Sequence, residues 1–391
     1  MTIDIASSSA STSTAAPTLA SLEQTLCSPS PPTPLDAQFR ALFTIKSLST
    51  SSSDPASLPE GIRIIGQALS TSDSALLKHE LAYVLGQMQD ARAIPTLKRV
   101  LEDTAEHAMV RHEAAEAMGA IADPVALPIL EHYRNDEDVS VRETCELAIR
   151  KIEYEVKRPK ADGAKKEKAE DNPFAPIDPA PAFPVSSSQP GASAASTSSS
   201  ELLSSIPVYR DTLLDASQTL FDRYRAMFSL RNAVHAARRE TEKQSLTPQE
   251  RSEAQLKGRQ AVQALCDSLQ DKSALFRHEI CFVFGELAHA SCVPSMLKVL
   301  GDDKEHEMVR HEAAEALGAV VEEGDAAEAG ADEESLTSQV MKELKRWAED
   351  LQAPRVVRES CIVALDEMAY NNDPSQFQPM DNALPEQVAA A

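Results

Sequence analysis

The sequence predicts an all-α solenoid of helical hairpins, arranged in two duplicated halves. Three observations predict it: a basic-His-Glu triplet recurring at a fixed interval, an apolar pattern of helical period around each copy, and few aromatic residues. Lys78-His79-Glu80 recurs as Arg111-His112-Glu113, Arg277-His278-Glu279 and Arg310-His311-Glu312. His79 and His112 are 112 − 79 = 33 residues apart, as are His278 and His311, and one pair maps onto the other by 278 − 79 = 199 residues. Self-similarity with a period of roughly 20–50 residues marks a stacked repeat array, and here the array itself is duplicated. Aromatic residues are 4% of the chain with a single Trp347, which argues against a sandwich or propeller.

Each copy carries one helix. Leu77, Leu81, Val84, Leu85 and Met88 are apolar at i, i+4, i+7, i+8 and i+11. The same offsets pick out Val110 to Ile121, Phe276 to Leu287 and Val309 to Val320. A third copy follows in each half, Val141 to Ile152 and Val357 to Met368. Looser copies precede them around Phe39-Arg40-Ala41 and Tyr224-Arg225-Ala226. Shorter apolar stretches lie between, such as 93–101 and 293–300, each with a proline near its start, where a missing N–H costs nothing. The unit is a helical hairpin, about four per half. The whole is a HEAT-type solenoid of about eight hairpins.

The remaining segments read as connections. Residues 1–35, rich in Ser, Thr, Ala and Pro, are expected to be a disordered extension. The N-terminal half then runs over 36–154 and the C-terminal half over 206–371. Residues 155–205, a charge run followed by Pro, Ala and Ser, read as a flexible tether. Residues 322–334 read as an acidic loop insertion and 372–391 as a tail.

Composition bounds the function. Lys plus Arg is 38 against 61 Asp plus Glu, a net charge of −23. Such a field repels nucleic acid and anionic membrane and attracts basic partners. The chain has no apolar run long enough to span a bilayer, and its first basic residue is Arg40, so neither a signal nor a transit peptide is expected. Cys27, Cys145, Cys266, Cys281, Cys292 and Cys361 form no CxxC pair and read as reduced thiols of a cytoplasmic, monomeric protein, with room for a nuclear pool.

The His-Glu pairs carry the chemistry. At about 100° per residue the apolar stripe centres near 24°, the His lies near 200° and the Glu near 300°. Each His is therefore expected to face away from its packing stripe, into the concave groove. A lone helical His is more often a satisfied surface or core residue than a ligand. Here four occupy one template position, while the third helix of each half keeps the template with Glu143-Thr144 and Glu359-Ser360 instead. Folding does not require the pair. Packed helices lie about 8–10 Å apart, so His79 with His112, and His278 with His311, can each hold one ion. Facing halves would bring the two sites together. Imidazole and carboxylate with few ligands per metal suit non-haem iron, and zinc stays open although HExxH is absent.

Other repeated positions allow two readings. Gly86, Gly119, Gly285 and Gly318 either clear the groove or allow close helix packing. Tyr83 and Phe282, with Glu116 and Glu315, form aromatic and acidic walls for a substrate with an aliphatic stem and an ammonium head, or are solvated surface. His107 and His306 read as loop residues. Lys78, Arg111, Arg277 and Arg310 are expected to pair with acidic neighbours.

These residues resemble the deoxyhypusine hydroxylase family. The likeness rests on VRHEAAEAMGAI at 110–121, VRHEAAEALGAV at 309–320, KHELAYVLGQM at 78–88 and RHEICFVFGEL at 277–287. NPFAPIDPAP at 172–181 and FDRYRAMF at 221–228 add to it. It covers most of residues 36–371, and departs from the family in the N-terminal extension, the later tether, and insertions near 237–257 and 322–334. The resemblance implies a di-iron monooxygenase using dioxygen as co-substrate. It hydroxylates deoxyhypusine, formed from one lysine of eukaryotic translation initiation factor five-A, to hypusine. Carried over by position, His79, His112, His278 and His311 become ligands of two ferrous ions. Glu113 and Glu312 come ahead of Glu80 and Glu279 as carboxylate ligands, and Glu80 and Glu279 turn to the substrate's amines. The competing classes are a HEAT-type binding scaffold and a zinc-dependent hydrolase.

Overall fold

The computed structural model describes residues 17–28, 33–158, 176–184, 199–320 and 335–371. Among them every regular element is helical. The N-terminal half pairs α1 (Leu19–Cys27) with α2 (Leu35–Ser51), α3 (Ser57–Thr71) with α4 (Ala75–Gln87), α5 (Ile94–Glu102) with α6 (Ala108–Ile121), and α7 (Leu127–Tyr133) with α8 (Val139–Lys157). The C-terminal half begins with α9 (Ser199–Ser204). It then pairs α10 (Ile206–Leu214) with α11 (Leu220–Glu242), α12 (Pro248–Asp267) with α13 (Ala274–Leu287), α14 (Val293–Gly301) with α15 (Glu307–Gly318), and α16 (Leu336–Glu349) with α17 (Arg355–Asn371). This is the expected architecture of four hairpins per half.

Local chemistry starts each element. α5, α7, α10, α12 and α14 carry proline in the first helical positions. Ser74 and Ser273 cap α4 and α13, and His107 and His306 cap α6 and α15 through their imidazoles. The two histidines read as loop residues thus have a definite task at the helix starts.

The inner helices α4, α6 and α8, and their counterparts α13, α15 and α17, pack side by side. A Cβ on Gly86 would lie 2.7 Å from Ala117 Cα, one on Gly119 2.9 Å from Ala148 Cα, and one on Gly318 2.9 Å from Ala364 Cα. Close packing, rather than groove clearance, is the reason for these three glycines. Beneath them, Tyr224, Phe228, Phe276 and Phe284 are fully buried. Three of the four basic residues before the His find acids: Lys78 with Glu106 at 2.6 Å, Arg111 with Asp136 at 2.5 Å and Arg277 with Glu305 at 2.6 Å. Arg310 departs from that expectation. It donates to the Leu300 carbonyl, and its guanidinium lies 4.4 Å from the Trp347 ring centroid, where a π face takes the place of a carboxylate.

The halves close into a ring, because α8 packs on α11 and α13 while α17 packs on α2 and α4. Ser74 Oγ donates to Glu359 Oε2 at 2.7 Å, and Ser273 Oγ donates to Glu143 Oε2 at 2.6 Å. Each serine also caps its own helix, so the starts of α4 and α17, and of α13 and α8, lie together and the inner helices run the same way. Arg40 of α2 and Asp366 of α17 add an ion pair at one closure.

Two segments differ from their reading. Within 1–35, Leu19–Cys27 is a capped helix that buries Leu22 and Leu26 against the first hairpins. Two apolar residues at helical spacing suffice where a neighbouring face receives them, which average composition hides. Residues 176–184 of the tether are anchored. Ile177 N–H donates to Gln87 Oε1 at 2.7 Å, Arg225 Nε to the Pro181 carbonyl at 3.1 Å and Phe183 N–H to Ser229 Oγ at 2.9 Å. Ala180 is fully buried. The region 237–257 is carried by the end of α11 and the start of α12. Both ends of the tether are helical as well, 155–157 as the last turn of α8 and Ser199–Ser204 as α9, which buries Leu202 and Leu203. Residues 159–175 and 185–198, the 322–334 loop and the 372–391 tail lie outside the described residues.

Candidate metal centre

Each His is the fifth residue of its helix, so all four stand at one depth of the ring. Ring centroids lie 5.5 Å apart for His79 and His112, 5.8 Å for His79 and His278 and 5.1 Å for His79 and His311. His278 is 5.4 Å from His112 and 5.2 Å from His311. The two expected sites have merged into one cluster, with His79 as near to the other half as to its own partner.

The groove is not open to water at this depth. His112 and His311 are 0% exposed, His79 3% and His278 4%. The face opposite the packing stripe was the correct one, but ring closure buries it. Among the described residues three groups have donor atoms all within 4.8 Å of one another: His79, His278 and His311; His79, His112 and Glu113; His311, Glu312 and Glu315.

The carboxylates divide by the nitrogen they face. Glu113 Oε2 lies 3.2 Å from His79 Nε2, and Glu312 Oε2 lies 3.2 Å from His278 Nε2 and 3.9 Å from His311 Nε2. In both halves the Glu of the second pair therefore shares the Nε2 side with the His of the first. Glu80 is turned the other way, with Oε1 3.2 Å from His79 Nδ1. Glu279 is buried, and burial, then the charge of Glu116 and Asp178, holds its carboxyl well above the ordinary range. Burial and neighbouring carboxylates do the same to Glu116 and Glu315. Tyr83 and Phe282 meet edge to face with centroids 6.1 Å apart, one turn further along α4 and α13 than His79 and His278.

The centre as a bare set of side chains is poorly satisfied. His79 Nε2, both nitrogens of His112 and of His278, and His311 Nε2 are buried without an aligned hydrogen-bond partner. Burial holds His112 and His311 well below the ordinary imidazole pKa, so they stay neutral, while Glu113 and Glu80 overcome burial to lift His79 well above it. Unpaired buried nitrogens beside mutually repelling carboxylates cost free energy on both counts. A divalent cation takes the nitrogen lone pairs and neutralises the carboxylates together. The residues present fit a metal.

Some contributors escaped sequence reasoning. Arg231 of α11 is held by Asp178 of the tether and by Glu286 of α13, each at 2.7 Å. Asp178 lies within the 172–181 segment already singled out, yet no spacing rule pairs it with residue 231. His107 Nε2 reaches Glu307 Oε1 across the halves at 3.2 Å.

A closed ring of helical repeats around a buried cluster of imidazoles and carboxylates defines a solenoid protein whose centre could hold a metal. A model for HEAT repeats matches residues 62–150 and 262–366. A deoxyhypusine hydroxylase from Mycosarcoma maydis is 53% identical over 93% of this chain and 98% of its own length. One from Drosophila melanogaster is 42% identical over 89% and 91%. The structure of human deoxyhypusine hydroxylase in complex with glycerol superposes with a TM-score of 0.66 at 39% identity, covering 90% of this chain and 96% of that one. The chain belongs to the deoxyhypusine hydroxylase family, and it is an enzyme.

Proposed function

We propose that this enzyme hydroxylates the deoxyhypusine side chain of eukaryotic translation initiation factor five-A, using two iron ions and dioxygen. His79, His112 and Glu113 would hold one iron, and His278, His311 and Glu312 the other. When bound, a redox metal pair supplies the activation of dioxygen that amino-acid side chains lack. The observation that carries the reading is the buried centre itself, where imidazoles of the two halves lie 5.1–5.8 Å apart and their Nε2 atoms lack partners beside Glu113 and Glu312.

The chain's own residues handle the substrate. Its side chain is a long aliphatic stem ending in amines, and a basic chain is drawn to a protein of net charge −23. Glu80 lies on the Nδ1 side of His79, away from its Nε2, and Glu279 is buried among Glu116, Asp178 and Glu312; both would pair the amines. Tyr83 and Phe282 would line the stem. Burial of all four histidines excludes bulk water and so protects an oxidation from side reactions.

The test is metal analysis of protein purified without chelators, followed by turnover of the deoxyhypusine-bearing factor under isotopically labelled dioxygen. Two irons per chain and one labelled oxygen in the product are expected. Zinc alone would favour a hydrolase, and protein without metal would return the chain to a binding role.

A further inference from the structure

The third inner helix of each half keeps the packing template but lacks the His-Glu pair, and the metal reading assigns it nothing. α8 has Glu143 and Thr144, and α17 has Glu359 and Ser360, at the positions of the His and the Glu. Glu143 and Glu359 close the ring on Ser273 and Ser74. The second residue of each pair is buried, Thr144 at 1% and Ser360 at 0% exposure.

Ser360 is fully buried, and its Oγ donates to Glu315 Oε1 at 2.9 Å. The same oxygen stands 3.5 Å from His311 Nδ1, at the outer limit of a hydrogen bond. The other half places Thr144, Glu116 and His112 at the matching positions. There Thr144 Oγ1, Glu116 Oε2 and His112 Nδ1 are all buried and all without a partner. One half thus shows a connected chain of hydroxyl, carboxylate and imidazole. Its mate shows the same three groups, complementary as donors and acceptors, each lacking a partner.

We infer that Thr144 with Glu116, and Ser360 with Glu315, are positioning residues of the metal centre. The hydroxyl fixes the carboxylate, and the carboxylate holds the Nδ1–H of His112 or His311. A neutral imidazole has one donor and one acceptor nitrogen, so holding the proton on Nδ1 leaves the Nε2 lone pair for the metal. The tie also restrains a carboxylate four residues from its His, on the same helix face, that would otherwise compete for the ion. Glu116 and Glu315 then leave the substrate-binding set. The inference rests on His112 and His311 being ligands, as proposed above.

The test combines Thr144→Val with Ser360→Ala in the full chain, beside the hydroxyl-keeping pair Thr144→Ser with Ser360→Thr. Ferrous ion is titrated anaerobically against a colorimetric chelator, and the thermal midpoint of metal-free protein is read in parallel. Loss of an outer partner of this kind weakens metal binding by about 10–100-fold. That loss is expected in the first pair without a lower metal-free midpoint, and the second pair should restore wild-type affinity. Unchanged affinity in the first pair would overturn the inference, as would equal loss in the second, since packing and not the hydroxyl would then matter. Glu315→Gln lowering the number of ions bound at saturation, rather than the affinity, would make Glu315 a ligand and also overturn it. Wild-type protein that binds no ferrous ion would sink the metal reading first, before any variant is compared.

Discussion

His112→Leu should stabilise the metal-free protein while destroying the site. His112 is fully enclosed, and neither ring nitrogen has a partner. Each buried polar atom left unsatisfied costs about 1–3 kcal/mol, so the imidazole carries a penalty of roughly 2–6 kcal/mol in the metal-free fold. Leucine is of similar bulk and brings no polar atom, and reshaping around a swap of matched volume costs under about 1.5 kcal/mol. The net expectation is a gain of about 1–3 kcal/mol, read as a higher urea midpoint at unchanged m-value. With metal the order reverses. A ligand at about 1,000 times its dissociation constant adds roughly 4 kcal/mol to the wild type, and the variant forgoes most of that. The assay is urea unfolding of chelator-treated and anaerobically iron-loaded protein, wild type against variant. Metal-free His112→Leu unfolding at clearly lower urea than wild type would refute the reasoning, because the imidazole would then be an ordinary satisfied core group. His112→Ala should likewise lose metal and keep its helicity, with a cavity setting its stability.

Three further outcomes follow from the packing. Gly86→Ala puts a Cβ 2.7 Å from Ala117 Cα and should destabilise by about 1–2 kcal/mol after its helix-propensity gain, whereas Gly285→Ala meets only ordinary contact at 3.4 Å and should gain up to roughly 0.5–1 kcal/mol; thermal midpoints moving in opposite directions check this. Leu26→Ala should cost about 2 kcal/mol, the low end for a buried leucine on a helix covered on one side, and an unchanged urea midpoint would show that α1 is no part of the cooperative fold. Glu143→Ala and Glu359→Ala should cost similar amounts, each about 1–2 kcal/mol, because each strands a buried or half-buried serine hydroxyl; differential scanning calorimetry showing an effect of only one would mean that the ring is closed on one side.

The periodic part of the molecule was legible because its rules are local. Apolar offsets of helical period place Leu77 to Met88 and its copies on helices, and the 33- and 199-residue shifts stack and duplicate them. The side on which His79 lies follows from helix geometry alone. Whether that side is a groove or an interior depends on whether α17 returns to α2 and α4, a contact between residues as far apart in sequence as Ser74 and Glu359, 285 positions. No periodicity encodes ring closure, so burial of the four histidines was out of reach. The same limit hid Asp178, whose partner Arg231 is set by where the tether crosses. Arg310 shows the opposite failure. Its template position predicted an acid, and a single aromatic, Trp347, took that role.

The exceptions to the duplication show what each part of the ring is for. Gln87 and Glu286 match under the 199 shift, and Lys46 and Arg231 match when α2 and α11 are aligned on Phe39 and Tyr224, both offsets being 185. These differences go with the one described stretch of the tether, 176–184, which meets Gln87 in one half and Arg231 with its partner Glu286 in the other. On the side of α4 its backbone N–H at Ile177 needs an acceptor, and the Gln87 amide oxygen provides one without adding charge. On the side of α11 its Asp178 carboxylate needs a cation that stays charged when buried, and the Arg231 guanidinium, held by Asp178 and Glu286, provides it. Lys46, the matching residue of α2, has its pKa pushed down by burial, with Glu80 only partly restoring it. The cross-ring contact of His107 with Glu307 is also unpaired, because Ala108 stands where a second glutamate would be. At the layer of the His-Glu pairs the residue types agree. The four histidines and their glutamates are the same residues at the same depth in both halves. The halves therefore differ where the connection and the rim require it and agree at the layer where both face one centre, as expected if each half contributes an equivalent set of ligands.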